Sequence, residues 1–219
     1  MNALLKVFVL VFTVATLLAC GGGEVVPVAA AEDATTGRMK ILSVASDGVM
    51  SVQLPFPDGV ARECYQNSHD TPTHSVSSTM SDLDFSMPVG SIVVAAAGGT
   101  VHIHDDATKT GGFGWYVAVD HGSYWTIYAH LSGFIATEGQ QVVAGQPIAY
   151  SGGKVGHPGA GTSTGAHLHF GVHSESGVGT SQRMAVYALN RNTGILGYFV
   201  TGNGTAGSDF MCAVFSSDG

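Results

Sequence analysis

The sequence predicts an all-β fold in which antiparallel sheets form a sandwich or roll with few or no helices. Glycine is abundant, with 31 copies in 219 residues, and only 11% of the residues are charged. A chain with so few Glu, Lys and Arg residues has little to cover the exposed faces of helices, whereas glycines suit the turns between strands. The chain also divides into short apolar stretches bounded by Gly, Pro or Asp, which is typical of successive strands.

Residues 1–20 predict an export signal. A single cation, Lys6, precedes an apolar run over residues 7–18 that is too short to span a bilayer comfortably. The run ends in Leu-Leu-Ala-Cys, which resembles the lipobox of bacterial lipoproteins, so we expect cleavage before Cys20 and lipidation of that residue. The alternative is an ordinary signal peptide that is cut near residues 29–31 and discards Cys20. Both interpretations place the mature protein outside the cytoplasm.

Residues 21–38 predict a flexible tether, because they are rich in Gly, Ala and Thr and show no periodicity. Gly21, and not an Asp, follows Cys20, which favours the outer membrane or the periplasm over the inner membrane. We therefore expect a protein of the bacterial cell envelope that contacts the membrane through a lipid anchor.

The main domain is predicted over residues 39–178. Its candidate strands are, in order, MKILSVA, VMSVQLPF, SIVVAAAG, TVHIHDD, WYVAVDHG, YWTIYAHL, QQVVAGQPIAYSG and HLHFGVH. A polar segment at residues 63–81 has no periodicity and predicts a loop. Residues 179–219 predict a C-terminal β extension of unknown role, in which RMAVYALN fits either a short strand or a helical turn.

The cysteines outside the signal are Cys64 and Cys212. Export places them in an oxidising compartment, where a disulfide between them is one interpretation. Two separate buried thiols are the other, because the sequence does not give the distance between their Cα atoms.

The charge balance argues against nucleic acid as a partner. The net charge is −8, with 8 basic residues against 16 acidic ones, so the chain offers no basic surface for phosphates. The 10 histidines, however, outnumber the Lys and Arg residues together, and neutral imidazole is the commonest metal ligand in proteins. The histidines are therefore the first place to look for chemistry.

Two His-x-His patterns occur in the predicted strands. Alternate residues of a strand share a face, so His167 and His169 are predicted to point together while Leu168 packs on the opposite face. A Gly-, Ser- and Thr-rich stretch at residues 152–166 comes just before this pair, which places a loop beside rigid ligands as a substrate cleft requires. The other pair, His102 and His104, runs into an Asp-rich turn and predicts a solvated strand end.

Four blocks of sequence together resemble a known family. They are LDFSMPVGSIVVAAAGGTV, VAVDHGSYWTIYAHLSGF, EGQQVVAGQPIAYSGG and STGAHLHFGV. In this order they resemble the M23 family of zinc metallopeptidases, the lysostaphin-like group that cleaves peptide cross-links in bacterial cell walls. The resemblance covers residues 74–172 without a large gap and implies the all-β fold of that family.

The resemblance also implies the site residues. The three zinc ligands would be His74, Asp84 and His169, and the two catalytic histidines would be His130 and His167. Two imidazoles and one carboxylate leave zinc a fourth position for water, whose pKa the metal lowers toward about 7. We expect His130 to donate a hydrogen bond to the developing oxyanion and His167 to take the proton of the water.

The first ligand departs from the common spacing of the family. Many members have His-x-x-x-Asp, but the residue four positions before Asp84 is Met80. A subgroup has a longer spacing that His74 fits, and His69 is the competing choice. If neither histidine reached the metal, the site would be degenerate.

The expected function is a zinc metalloendopeptidase that hydrolyses stem peptides or peptide cross-links of peptidoglycan. The alternative is a catalytically silent relative that binds peptidoglycan or activates an amidase. A surface adhesin would also account for the strands and for export, but it would leave the ordered histidine blocks unexplained.

Overall fold

The chain divides into two compact units, residues 1–47 and residues 48–219. The structure is a computed structural model, and the residues that it describes are 28–33, 38–44, 50–57, 60–66, 74, 78–79, 81–106, 108, 110–175, 184–190, 194–200 and 214–216.

The described residues form an all-β protein, as predicted. The strands are β1 Val28–Asp33, β2 Arg38–Val44, β3 Met50–Gln53, β4 Ala61–Gln66, β5 Leu83–Ser86, β6 Ile92–Val94, β7 Gly99–His104, β8 Tyr116–Asp120, β9 Trp125–Ala129, β10 Leu131–Phe134, β11 Gln141–Val142, β12 Pro147–Ser151, β13 His167–His173, β14 Met184–Asn190, β15 Gly194–Val200 and β16 Val214–Ser216. Two 3-10 helices, Gly111–Phe113 and Pro158–Ala160, have three residues each. The described part of the chain contains no helix with the length and apolar character needed to cross a membrane.

The first unit contains an antiparallel pair of strands, β1 and β2. The sequence predicted strand β2 but assigned residues 21–38 to a tether without regular structure, so β1 corrects that prediction for residues 28–33. The physical reason is that β2 has backbone N–H and C=O groups that require hydrogen-bond partners. Strand β1 supplies these partners through its backbone, which needs no periodic pattern of side chains.

The described residues of the second unit form three sheets. The largest has eight strands in the order β11-β7-β8-β9-β13-β5-β4-β16, and the smaller ones run β10-β12-β6 and β15-β14-β3. The pairs are antiparallel except for β3 with β14, which is parallel. Strand β13 lies near the centre of the large sheet, between β9 and β5.

One face of the large sheet shares a hydrophobic core with the sheet β10-β12-β6, which gives the predicted two-layer packing. Phe85, Tyr128 and Phe170 enter this core from the large sheet, and Leu131 and Ile148 enter it from the small one. The ring of Phe170 packs 5.3 Å from that of Tyr128 and 6.5 Å from that of Phe85, between ring centroids. These contacts hold β9, β13 and β5 together and so give the residues on them a rigid support.

The polar segment and the tail differ in part from prediction. Strand β4 takes in the start of residues 63–81, which the sequence predicted as a loop, because it pairs with β5 on one side and β16 on the other. Its Cys64 side chain is buried in the core. In the tail, RMAVYALN forms strand β14, which decides between the two structures that its sequence allowed.

Candidate metal site

The His-x-His pair lies on β13, at the centre of the large sheet. Leu168 and Phe170 point into the hydrophobic core, so His167 and His169 share the opposite face, as predicted. In the pairing of β13 with β5, His169 stands directly opposite Asp84. Directly opposed residues of an antiparallel pair place their side chains on the same face, and His169 Nδ1 lies 3.0 Å from Asp84 Oδ1.

His74 completes a group of three potential metal ligands with His169 and Asp84. Its Nε2 atom is 3.4 Å from His169 Nδ1 and 3.7 Å from Asp84 Oδ1. All three side chains are buried, and they are the one group of three or more His, Cys, Asp or Glu ligands within 4.8 Å of one another in the part of the chain that the structure describes. Ligands about 2.0–2.1 Å from a tetrahedral zinc ion are roughly 3.3 Å apart, so the spacing and the donor types both fit zinc.

Two further histidines lie beside these ligands. The ring centroid of His130 is 4.6 Å from that of His167 and 5.8 Å from that of His169. His167 Nε2 is 3.7 Å from Asp84 Oδ1, the same oxygen that faces the other two ligands. The structure therefore brings together all five residues that the family resemblance implied.

Backbone carbonyls fix the rings of His130 and His167. His130 Nδ1–H donates to the carbonyl of Ala160 at 2.8 Å, and His167 Nδ1–H donates to the carbonyl of Gly165 at 2.9 Å. A carbonyl only accepts, so in each neutral ring the proton is on Nδ1 and Nε2 is an acceptor. His130 lies between β9 and β10, and His167 is the first residue of β13.

The sequence analysis missed a second carboxylate, Asp82. Its Oδ2 atom accepts a hydrogen bond from His169 Nε2–H at 2.9 Å, and His173 Nε2–H donates to the same oxygen at 3.0 Å. Asp82 and His173 are both fully buried. The pattern Asp82-Leu83-Asp84 could have revealed it, because alternate residues of a strand share a face just as the two histidines of His-x-His do.

The electrostatics of the site follow from burial and from these pairs. Burial by itself would lower the pKa of His169, but the hydrogen bonds to Asp82 and Asp84 outweigh it and raise the pKa to about 10. Burial would likewise raise the pKa of each carboxyl, yet the surrounding histidines hold the pKa of Asp82 and of Asp84 below the usual range. Burial and the charges of His169 and His167 lower the pKa of His130 to about 3.

The remaining predicted positions lie elsewhere. His102 Nδ1 lies 2.9 Å from a carboxylate oxygen of Glu138, and the His104 ring stacks on Tyr116, so neither belongs to the three-ligand group. Both side chains are half-buried, whereas the sequence predicted a solvated strand end. His69, Met80, Cys20 and Cys212 lie outside the described residues.

Two curated relatives match this chain over its central part. A protein of Haemophilus influenzae named as an uncharacterized metalloprotease is 44% identical over 92 residues, which are 42% of this chain and 18% of the relative. The peptidoglycan DD-endopeptidase ShyA of Vibrio cholerae is 38% identical over 88 residues, which are 40% of this chain and 18% of the relative. The matched segment thus spans less than a fifth of the length of these relatives.

A solved structure and a family model also match this chain. The catalytic domain of the antimicrobial peptidase lysostaphin from Staphylococcus simulans is 26% identical, with a TM-score of 0.44 over 56% of this chain and 86% of that one. The model of peptidase family M23 matches residues 79–183. The chain thus contains a domain that matches peptidase family M23.

Proposed function

We propose that the protein is a zinc-dependent endopeptidase that hydrolyses stem or cross-link peptides of bacterial peptidoglycan. The observation that carries this proposal is the convergence of His74, Asp84 and His169 beside two further histidines. The match of residues 79–183 to a peptidase family supports the reaction class, and the similarity to a relative named as a peptidoglycan DD-endopeptidase supports the substrate class.

The metal would be held by His74 Nε2, Asp84 Oδ1 and His169 Nδ1. When bound, zinc in such a site supplies a Lewis acid that activates water and polarises the carbonyl of the peptide bond. Three protein ligands leave the metal a coordination position for water or substrate, as a catalytic site requires.

His130 and His167 are proposed to orient the attacking water. The sequence analysis expected His130 to donate to the oxyanion, but the proton on Nδ1 is committed to Ala160 and burial keeps its pKa low, at about 3. A neutral His130 therefore offers an acceptor at Nε2, as does His167. Two acceptors can take hydrogen bonds from both protons of one water molecule and direct its lone pair at the substrate carbonyl.

We assign the proton transfer itself to His167. Its Nε2 atom is 3.7 Å from the Asp84 carboxylate, whose charge stabilises the imidazolium that forms, whereas burial disfavours a charged His130. The protonated His167 would then deliver its proton to the leaving amine, which completes the hydrolysis without a serine or cysteine nucleophile.

The test of this function is the release of soluble peptides from purified peptidoglycan. Residues 21–219 should release fragments whose masses identify the bond cleaved, and a zinc chelator should stop the release. His169→Ala should lose both bound zinc and activity, whereas His167→Ala should lose activity and keep zinc. A zinc-loaded wild-type protein that releases nothing would favour the silent peptidoglycan-binding or amidase-activating alternative.

The first ligand can be tested separately. We propose His74, whose imidazole lies within the three-ligand group. The zinc content of His74→Ala should fall well below that of His69→Ala, because only the former removes a coordinating nitrogen. Full retention of zinc by His74→Ala would contradict this assignment.

We also propose that the protein works at the bacterial cell envelope as a lipoprotein. The support is the apolar leader that ends at Cys20 and the peptidoglycan substrate class of the relative ShyA. Labelling with palmitate should mark the wild-type protein and fail in Cys20→Ala, and equal labelling of the two would refute the anchor.

A further inference from the structure

We propose that Asp82 is a positioning residue that orients His169 toward the metal. His173 would restrain the Asp82 carboxylate by a hydrogen bond, and Gly171 would leave the space that this carboxylate needs. This inference rests on the proposed zinc centre, but it concerns residues to which neither the family resemblance nor the comparisons assign a role. None of the three is part of the three-ligand group, and Asp82 and His173 are fully buried.

The first support is the strand register. In the pairing of β13 with β5, Phe170 stands opposite Leu83, so one step further along the two strands Gly171 and Asp82 are opposed. A Cβ atom built on Gly171 would overlap the carboxylate of Asp82. The Asp82 carboxylate thus occupies the space that a side chain at position 171 would fill. It lies between His169 and His173, which precede and follow Gly171 by two positions.

The second support is the hydrogen bonding. Asp82 Oδ2 accepts from His169 Nε2–H at 2.9 Å, and because an ionised carboxylate only accepts, the Nε2 nitrogen must carry a proton. The other nitrogen, Nδ1, then faces Asp84 Oδ1 at 3.0 Å and His74 Nε2 at 3.4 Å. Asp82 therefore keeps a proton on Nε2, so Nδ1, the nitrogen that faces Asp84 and His74, is the one on which a metal would replace the proton.

The third support is the way in which the carboxylate is itself restrained. His173 Nε2–H lies 3.0 and 3.2 Å from the two oxygens of Asp82. The Phe113 ring packs against both imidazoles, 5.2 Å from His169 and 6.2 Å from His173 between centroids. His169 and His173 thus both hydrogen-bond to the Asp82 carboxylate, so the cluster restrains the orientation of His169.

Carboxylates in this position have a general effect on metal sites. A ligating histidine commonly donates its second N–H to a carboxylate or carbonyl, and the loss of that partner typically weakens metal binding about 10- to 100-fold. The same effect should extend to Gly171, because an added methyl group would displace the Asp82 carboxylate without removing any charge.

The experiment measures zinc affinity by competition with a chromophoric chelator, together with the visible spectrum of the cobalt-substituted protein. Asp82→Ala and Gly171→Ala should each bind zinc about 10- to 100-fold more weakly than wild type and change the cobalt spectrum. Asp82→Asn keeps an oxygen that can accept from His169 and should lose less affinity than Asp82→Ala. Asp120→Ala, a carboxylate on β8 outside the cluster, is the matched control and should bind zinc like wild type.

The outcomes separate this proposal from the one on which it rests. A folded wild-type protein that binds no zinc would overturn the zinc centre and, with it, the role of Asp82. A wild type that binds zinc while Asp82→Ala and Gly171→Ala bind it equally tightly, with an unchanged cobalt spectrum, would overturn the positioning role alone. If Asp82→Ala fails to fold, Asp82→Asn decides: its weaker zinc binding supports the proposal, and wild-type affinity in that folded variant overturns it.

Discussion

His130 shows how a single residue can hold a conformation that its side chain does not favour. Among the described residues it is the one non-glycine residue with a positive φ, 60°. That conformation brings Cβ close to the following carbonyl and costs roughly 1–2 kcal/mol for an L-residue. The backbone N–H of His130 donates to the carbonyl of Phe113, and its imidazole donates to the carbonyl of Ala160. Hydrogen bonds therefore restrain both the backbone and the side chain of this residue. Strain of this kind persists where the surrounding contacts over-determine it.

This strain makes a prediction that separates stability from activity. His130→Ala and His130→Gly both remove the imidazole, so both should lose most peptidase activity. The glycine variant should be the more stable of the two by about 1 kcal/mol, because glycine adopts positive φ without a steric cost. Urea unfolding of the two variants would measure the difference, and equal stability would show that the His130 backbone is not strained.

At the scale of elements, the site depends on the contact between β13 and β5. The face of these strands that bears His169 and Asp84 carries the chemistry, while their other face enters the core. Phe85 is next to Asp84 along β5 and packs on the opposite side of the sheet, 5.4 Å from the Phe56 ring and 6.5 Å from the Phe170 ring. The alternation of a strand thus joins one ligand directly to the packing of the core.

Phe85→Ala should therefore destabilise the protein by about 3–5 kcal/mol, the usual cost of emptying the space of a buried aromatic ring. The measurement is urea unfolding of the metal-free protein. Ser86→Ala changes an exposed side chain on the same strand and should alter the stability by less than about 0.5 kcal/mol. A Phe85→Ala protein as stable as this control would contradict the core that we describe.

At the scale of the whole molecule, a disulfide connects the peptidase domain with another part of the chain. Cys64 on β4 is disulfide-bonded. Strand β16 pairs with β4, with Val214 opposite Glu63, which places β16 beside the residue that precedes Cys64. This register supports the predicted partner, Cys212, over Cys20 in the leader, although both partners lie outside the described residues.

We predict that peptide mapping without reductant will recover a Cys64–Cys212 cross-link from the exported protein. The double variant Cys64→Ala, Cys212→Ala should lose about 2–5 kcal/mol of stability, because the unfolded chain regains the freedom that a long closed loop removes. Reductant should destabilise wild type by a comparable amount and leave the double variant unchanged. Recovery of a Cys20–Cys64 peptide would refute the pairing.

Much of the catalytic arrangement could be predicted from sequence because it is encoded locally. The alternation of β13 predicts that His167 and His169 share a face whatever the strand packs against, and the structure agrees. The blocks around Asp84 and His130 carry the family resemblance, and both residues lie beside the pair. The role of His74 was harder to predict, because His74 lies before the first sequence block of the resemblance and before residues 79–183, which the family model matches. The sequence around it also shows no strand or helix periodicity.

Local sequence patterns are enough to specify the all-β class and the face that carries the two histidines of β13, because strand alternation and turn residues act over a few neighbouring positions. The contact of Asp82 with His173, 91 positions away in sequence, and that of His130 Nδ1 with the carbonyl of Ala160 depend on the tertiary structure. Such features depend on the register between strands and on which carbonyl meets which nitrogen. Both arise when distant segments pack together, which no local pattern records.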